Sequence, residues 1–414
     1  MKIIDFGDAP VFEAIAYPTI LVGTRKQAPG KPGPNETIQS LNWVPVEGED
    51  PKESVRHFPQ RFAAEAFAMP QADLSPSGWQ LEPQAERDLL AKLRAGGTPL
   101  GEWCQGRFYY GIKTGLNDAF VIDGAKRAQL INSDPKSAEI IKPFLRGRDV
   151  KRWRVEPADK WLIKISSSEN EEHPWSGLPE DNAEAVFRKT YRAIYDWWTA
   201  EGLRDGLIAR TDQGRYFWEL RSCAYYEAFE GPKLIYPDIY EHQSFAFDTR
   251  GYFAGNTAYF IPTNAEWLSA TMNSSSTEWF YRQVSNSIRG GYLRAFTEIM
   301  KQVPVPKTDS EQEKALAVLA QAARAGADRS RLEVLINAFV YELFFAEELH
   351  AQKLFPFASA REAGLMNLAR LQGEALARDA NDWSRCLTDP AHPLYATIFD
   401  LQSIKAVRII EGRK

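Results

Sequence analysis

GRFYYGIKTGLNDAFVIDG, residues 106–124, alternates apolar and polar positions on either side of two glycines, Gly111 and Gly115. Phe108, Tyr110 and Ile112 fall on one side of an extended chain, because successive side chains in a strand point to opposite faces. AFVIDG then reads as a second strand, and the pair predicts a hairpin turning around TGLND. The same character continues downstream. SAEIIKPFL (137–145) reads as a short helix or a strand, and KWLIKIS (160–166) as a strand. PKLIYPDI, SFAFDT and YFAGNTAYFIP, within 231–262, are three more. A helix interrupts them at 180–201, where Ala183, Val186, Phe187, Ile194 and Trp197/Trp198 supply an apolar stripe.

Upstream, IIDF (3–6) and VFEAIAYPTILVG (11–23) read as short strands, the latter broken by Pro18. QAPGKPGPNET (27–37) is a Pro/Gly-rich loop and SPSGWQ (75–80) a turn. EPQAERDLLAKLRAGG (82–97) predicts a helix stopped by Gly96-Gly97. Downstream, NAEWLSATMNS (264–274) and STEWFYRQVSN (276–286) are helical, with Asn264 and Ser275 or Ser276 as caps. Helices follow at 309–324, 328–349 and 359–379. The fold class is therefore α+β, a strand-rich middle of mixed topology followed by a helical C-terminal region. Division into residues 1–100, 101–307 and 308–414 follows the change of pattern.

The 414 residues are 44% hydrophobic and 25% charged, the balance of a globular protein. No apolar run approaches the length of a membrane span and no secretory signal opens the chain, which implies a cytoplasmic location and no membrane partner. Cys104, Cys223 and Cys386 are far apart and form no CxxC pair, so no metal site is expected. The net charge is −5, yet residues 107–154 hold 11 Lys/Arg against 5 Asp/Glu. A basic block inside an acidic chain points to a polyanionic partner.

Four segments carry polar groups suited to such a partner. YYGIKTGLNDAF (109–120) offers Lys113 and Thr114 to a phosphate and Asn117 to a base edge, against the plain alternative of a glycine-rich hairpin. FLRGRDVKRWR (144–154) offers Arg146, Arg148, Lys151, Arg152 and Arg154 against a single acid, Asp149; the plain alternative is a solvated charged edge. YPDIYEHQSFAF (236–247) crowds Tyr240, Glu241, His242 and Gln243 between two apolar strands. Its PD…E string lacks the ExK lysine of a nuclease metal site, which excludes that reading. NSIRGGYLRAFTEIMKQVPVP (286–306) places Arg289 and Arg294 around Gly290, Gly291 and Tyr292, where exposed amides and two guanidiniums could clamp a phosphate.

Taken in order, GIKTGLNDAFVID, EIIKPFLRGRDVKRW, WLI, GPKLIYPDI, GNTAYFIP and SIRGGYLRAFTEIMKQVPVP resemble the TaqI-like C-terminal specificity domain. That domain belongs to type IIG restriction–modification enzymes and related adenine-specific DNA methyltransferases. LEVLINAFVYELFFAEEL (332–349) is similar to the helix that follows it, and DFGDAPVFEAIAYPTILV (5–22) resembles the end of the methyltransferase domain. The resemblance implies double-stranded DNA as partner and a role in holding DNA while a methyltransferase region or subunit flips out and methylates an adenine. It implies DNA contacts at Lys113, Thr114, Asn117, Arg146, Arg148, Lys151, Arg152, Arg289, Gly290, Gly291, Tyr292 and Arg294. Arg146, Arg148 and Arg289 are expected on the backbone. Base readers are expected in the variable 239–244 loop, with Tyr240, His242 and Gln243.

Catalysis in that family uses an Asn/Asp-Pro-Pro-Tyr/Phe tetrapeptide and an FxGxG cofactor loop. These 414 residues contain no Pro-Pro dipeptide, and Phe229-Glu230-Gly231 and Phe253-Ala254-Gly255 each lack the last glycine. The expectation is a chain that begins past the catalytic motif and holds no catalytic residue, cofactor or metal, with S-adenosylmethionine bound on a catalytic region that is missing or is a separate subunit. Alone, such a chain is inactive. Two rivals remain: a carbohydrate-active enzyme using Trp161, Trp175, Trp197, Trp198 and Trp218 as platforms, and a scaffold that binds no DNA. The first has no reason to concentrate charge at 107–154.

Overall fold

A computed structural model describes residues 1–7, 9–12, 18–24, 36–43, 48–74, 79, 81–285 and 291–413. The loop expected at 27–37 and the turn at 75–80 lie mostly outside those residues. The α+β reading holds: several small sheets occupy the first three quarters of the chain and helices the last.

The sheet that organises the middle has the order Ala246–Asp248, Lys233–Pro237, Ala258–Pro262, Tyr109–Tyr110, antiparallel throughout. Its central strand is apolar at every second position on both faces. Leu234 and Tyr236 enter one core while Ile235 enters another, and Ile261 and Phe260 divide the same way on the neighbouring strand. Period-two alternation thus makes one strand the partition between two cores. The first core also takes Leu89, Leu90 and Leu93 of helix Gln84–Gly96 and the helices beyond residue 310. The second is aromatic: Trp175, Phe187, Trp198 and Trp218 are fully buried, with Phe187 stacked on Trp218 at 5.2 Å. These tryptophans are packing, so they offer no open sugar platform. Trp161 and Trp197 are half-buried beneath Arg127 and Lys126.

A second four-stranded sheet has the order Phe253–Ala254, Ile141–Leu145, Lys160–Ile163, Val121–Asp123. The hairpin expected at 106–124 therefore does not form. Tyr109–Tyr110 pairs with Tyr259–Phe260, and Val121–Asp123 pairs with Lys160–Trp161–Leu162. The turn between them folds into a short helix, Asn117–Phe120, which sends the second strand to a different sheet. Gly111 is needed here for close approach, since a Cβ on it would lie 1.9 Å from the Gly255 carbonyl oxygen. The helix expected at 180–201 is two, Glu180–Thr190 and Arg192–Ala200, separated at Tyr191 with φ −128° and ψ 62°.

At the N-terminus a four-stranded sheet has the order Thr19–Val22, Lys2–Asp5, Thr37–Asn42, Phe67–Pro70. Beyond residue 308, helices Ser310–Ala325 and Arg329–Ala351 form the expected pair, each entered through an aspartate cap, Asp309 and Asp328. The third expected helix is divided into Pro356–Glu362, a 3₁₀ segment Leu365–Arg370 and Gly373–Trp383, with Gly364 in the left-handed region at the break. Among the described residues no helix is long and apolar enough to cross a membrane.

Candidate nucleic-acid interface

Strand Lys233–Pro237 ends at a proline, and the chain leaves its sheet at Asp238. The Asp238 amide donates to the Thr257 carbonyl at 2.9 Å and its carbonyl accepts from the Ala295 amide at 2.8 Å. The chain then runs on as Ile239–Tyr240, paired antiparallel with Leu293–Arg294. Thr257 also reaches the basic segment, because the Gly147 amide donates to its Oγ1 at 2.7 Å. Only glycine fits at 147: a Cβ there would sit 2.1 Å from the Thr257 carbonyl oxygen.

Three of the four segments singled out in the sequence thereby meet. An open groove of about 550 Å³ is lined by Gly147, Arg148 and Val150–Arg152 on one side and by residues 237–242 and Ser244 on the other, with Thr257 at its base. The Leu293–Arg294 strand flanks it through the Ile239–Tyr240 ladder. The fourth segment goes elsewhere. Lys113 pairs with Asp212 at 2.9 Å, Thr114 is buried with its hydroxyl on Asn117 Oδ1 at 2.7 Å, and the Thr114 carbonyl accepts from Arg210. That turn is fastened to residues 210–212, and none of its three candidate side chains lines the groove.

The cations of 144–154 have unlike fates. Arg146 grips Asp149 through Nε and Nη2 at 2.9 and 2.8 Å, and the Arg146 amide donates to the same carboxylate. Burial pushes the Asp149 carboxyl up, but these bonds outweigh it and hold it below the usual carboxylate range. Arg152 spends its guanidinium on Glu333, the Gln243 carbonyl and the Asn273 carbonyl at 2.7, 2.8 and 2.6 Å. Arg154 pairs with Glu156 at 2.6 Å. Arg148 and Lys151 are exposed and form no ion pair among the described residues. Of the five cations, Arg146 and Arg154 thus pair with acids close by in sequence, Arg152 with Glu333 from a distant helix, and Arg148 and Lys151 with none among the described residues.

The 239–244 loop is braced from behind. Tyr240 is 4% exposed where Ile239, its neighbour along the strand, is 49% exposed. Gln243 is fully buried. Both were expected to read bases, yet strand alternation and the loop's packing turn their side chains inward. His242 remains exposed, its Nδ1 3.0 Å from Glu278 Oε1. Arg282 joins Glu278 to the Glu241 carbonyl with bonds of 2.9 and 2.7 Å. Burial pushes the Glu278 carboxyl up, while the His242 and Arg282 contacts bring it below its ordinary value.

On the flank, Arg294 pairs with Asp238 at 3.3 Å and stacks on Phe296. Gly291 has φ +77°, and Tyr292 and Phe296 are exposed. Arg289 and Gly290 lie outside the described residues. Thr257 and Asp238 are groove residues to which the sequence reading gave no binding role, and Glu241, one of the polar groups crowded into 236–247, lines the groove with them. Thr257 sits in GNTAYFIP, where only its place between two turns gives it a role. Among the described residues no group of three or more His, Cys, Asp or Glu is placed to hold a metal ion.

Residues 142–305 match the family model of the TaqI-like C-terminal specificity domain, the resemblance that the motif order implies. The matched span contains every residue of the groove and excludes Lys113, Thr114 and Asn117. The Type II methyltransferase M.XhoI of Xanthomonas vasicola is 26% identical over 212 residues, covering 48% of this chain and 38% of that protein. Among solved structures, the type IIL restriction–modification enzyme MmeI in complex with DNA covers all of this chain and 43% of its own, at 13% identity and a TM-score of 0.41. The type IIG restriction endonuclease BpuSI covers 83% of this chain and 43% of its own, at 12% identity and a TM-score of 0.38. This chain spans about two fifths of the length of each.

Proposed function

We propose, on the premise that residues 142–305 are a TaqI-like C-terminal specificity domain, that this chain recognises double-stranded DNA for a restriction–modification methyltransferase of the type IIG kind. It positions the duplex so that a catalytic region flips out and methylates an adenine. The observation that carries this reading is the groove, where the Gly147–Lys151 turn and the 238–242 turn face one another across Thr257. Arg148 and Lys151 are free to meet phosphates at its edge. The short two-stranded ribbon Ile239–Tyr240/Leu293–Arg294 has the form of an element that a major groove admits.

No stretch of the 414 residues supplies the FxGxG loop or the Pro-Pro tetrapeptide. Cofactor and methyl transfer are assigned to a region or subunit beyond these residues, and this chain's part is binding and orientation. Its compartment on this reading is the cytoplasm.

Titration of a labelled random-sequence duplex at several salt concentrations tests the proposal. Affinity should fall between about 50 and 200 mM salt, with a log–log slope near −0.9 for each phosphate neutralised. Absence of duplex binding at low salt would favour the scaffold instead. Binding that ignores salt would remove the role given to Arg148 and Lys151.

A further inference from the structure

The groove contains one charge that works against DNA. Glu241 lies at the tip where strand Ile239–Tyr240 ends, lines the groove with Arg148, Lys151 and His242, and is exposed. The other groove acid, Asp238, is neutralised by Arg294 at 3.3 Å. The Glu241 carboxylate has no ion pair or hydrogen bond among the described residues, while its backbone is fixed. Arg282 holds the Glu241 carbonyl at 2.7 Å and is itself tied to Glu278, which also receives the Gln243 amide at 3.4 Å and the ring of His242. The main chain is therefore held by a hydrogen bond, while the carboxylate makes none among the described residues.

A carboxylate facing a duplex is repelled by every phosphate. Its attractive partners on DNA are amino groups on base edges, which in the major groove are cytosine N4 and adenine N6. An acid sharing a groove with cations that form no ion pair among the described residues weakens non-specific binding everywhere and recovers the loss where such an amino group stands opposite. Resting on the DNA-recognition reading above, we propose that Glu241 is a specificity-determining residue that accepts a hydrogen bond from a base amino group in the major groove. Arg148 and Lys151, in the same groove, set the register on the backbone.

Sequences bound by the full chain should be selected from a randomised duplex pool for the wild type and for Glu241→Ala, then titrated with each base pair exchanged in turn. The wild type should fix cytosine or adenine at one position, with exchange there weakening binding about ten- to a hundredfold. The base found distinguishes the N4 from the N6 donor. Glu241→Ala should lose preference at that position alone and bind random duplex severalfold more tightly. It should unfold at the wild-type temperature, because the carboxylate makes no hydrogen bond or ion pair among the described residues. Glu241→Lys provides a second reading if the alanine variant is unstable: it should abolish the same preference and strengthen random-duplex binding further. A wild-type consensus kept in full by a folded variant overturns this inference and leaves the DNA reading standing. A wild-type chain that enriches no sequence overturns both.

Discussion

Arg152 and Glu333 are joined by a 2.7 Å hydrogen bond from Nε to Oε1, across the boundary between the strand-rich middle and helix Arg329–Ala351. The same carboxylate oxygen accepts from Trp153 Nε1 at 2.6 Å. Arg152 thus draws the basic segment, the 239–244 loop and the C-terminal helices to one point, through Glu333, the Gln243 carbonyl and the Asn273 carbonyl. An arginine that reads in the sequence as a phosphate contact is a brace for the loop that faces the groove.

Arg152→Ala should therefore act on stability before it acts on DNA. Two carbonyls and half of a carboxylate lose a charged donor in a half-buried setting, where bonds to charged groups are worth about 1.5–3 kcal/mol each before relaxation and water recover part. A net loss of about 2–3 kcal/mol in urea denaturation is expected. A loss below about 1 kcal/mol would show that the brace is dispensable.

Arg148 and Lys151 give the opposite result. Neither has an ion partner among the described residues, so truncation leaves the fold intact. Arg148→Ala combined with Lys151→Ala should leave the unfolding midpoint unchanged and reduce the salt slope of duplex binding by about 1.8, two phosphates' worth. Arg146→Ala should alter the slope far less, because that guanidinium is committed to Asp149. Equal slopes for the double variant and the wild type would place the phosphate contacts elsewhere.

Gly147→Ala tests the geometry of the groove. The added Cβ would meet the Thr257 carbonyl oxygen at 2.1 Å, and that atom is backbone tied to the Asp238 amide. The Arg148–Lys151 turn must move away from the 238–242 turn to relieve the clash. A destabilisation of about 1–3 kcal/mol is expected from such overpacking, together with at least a tenfold loss of duplex affinity. Retained affinity at reduced stability would mean that the two turns do not act as one surface.

What the sequence disclosed follows how local each feature is. Helix Gln84–Gly96 is readable because its stop, Gly96-Gly97, lies within the chain segment itself. The hairpin at 106–124 misleads because Tyr109–Tyr110 finds a better partner in Tyr259–Phe260, far along the chain, once Gly111 can approach Gly255. The basic run is visible, but Glu333, which quenches Arg152, comes from a helix that no spacing rule connects to it. The chemistry of Tyr240 and Gln243 suits base reading, but strand alternation at Ile239–Tyr240 turns Tyr240 inward. The matched domain was legible through the order of short motifs, each weak alone.

The N-terminal sheet carries a pH dependence of its own. Glu82, just before helix Gln84–Gly96, has its carboxyl pushed up to about 7 by burial, with Glu86 and Asp5 adding to the rise and a hydrogen bond to Asn42 opposing it. A folded-state value above the unfolded one means that the native state binds the proton more tightly. The stability this supplies is full below about pH 4.5, where Glu82 is protonated in both states, and is lost as pH rises through about 7. Glu82→Gln removes the dependence by mimicking the protonated form. The variant should match the wild type near pH 4 and exceed it above pH 7, by an amount on the order of 2 kcal/mol. Unfolding midpoints of the two proteins measured from pH 4 to 8 give the comparison. Parallel curves across that range would mean that Glu82 is solvated in the folded chain and that the sheet edge beside Asn42 is open to water.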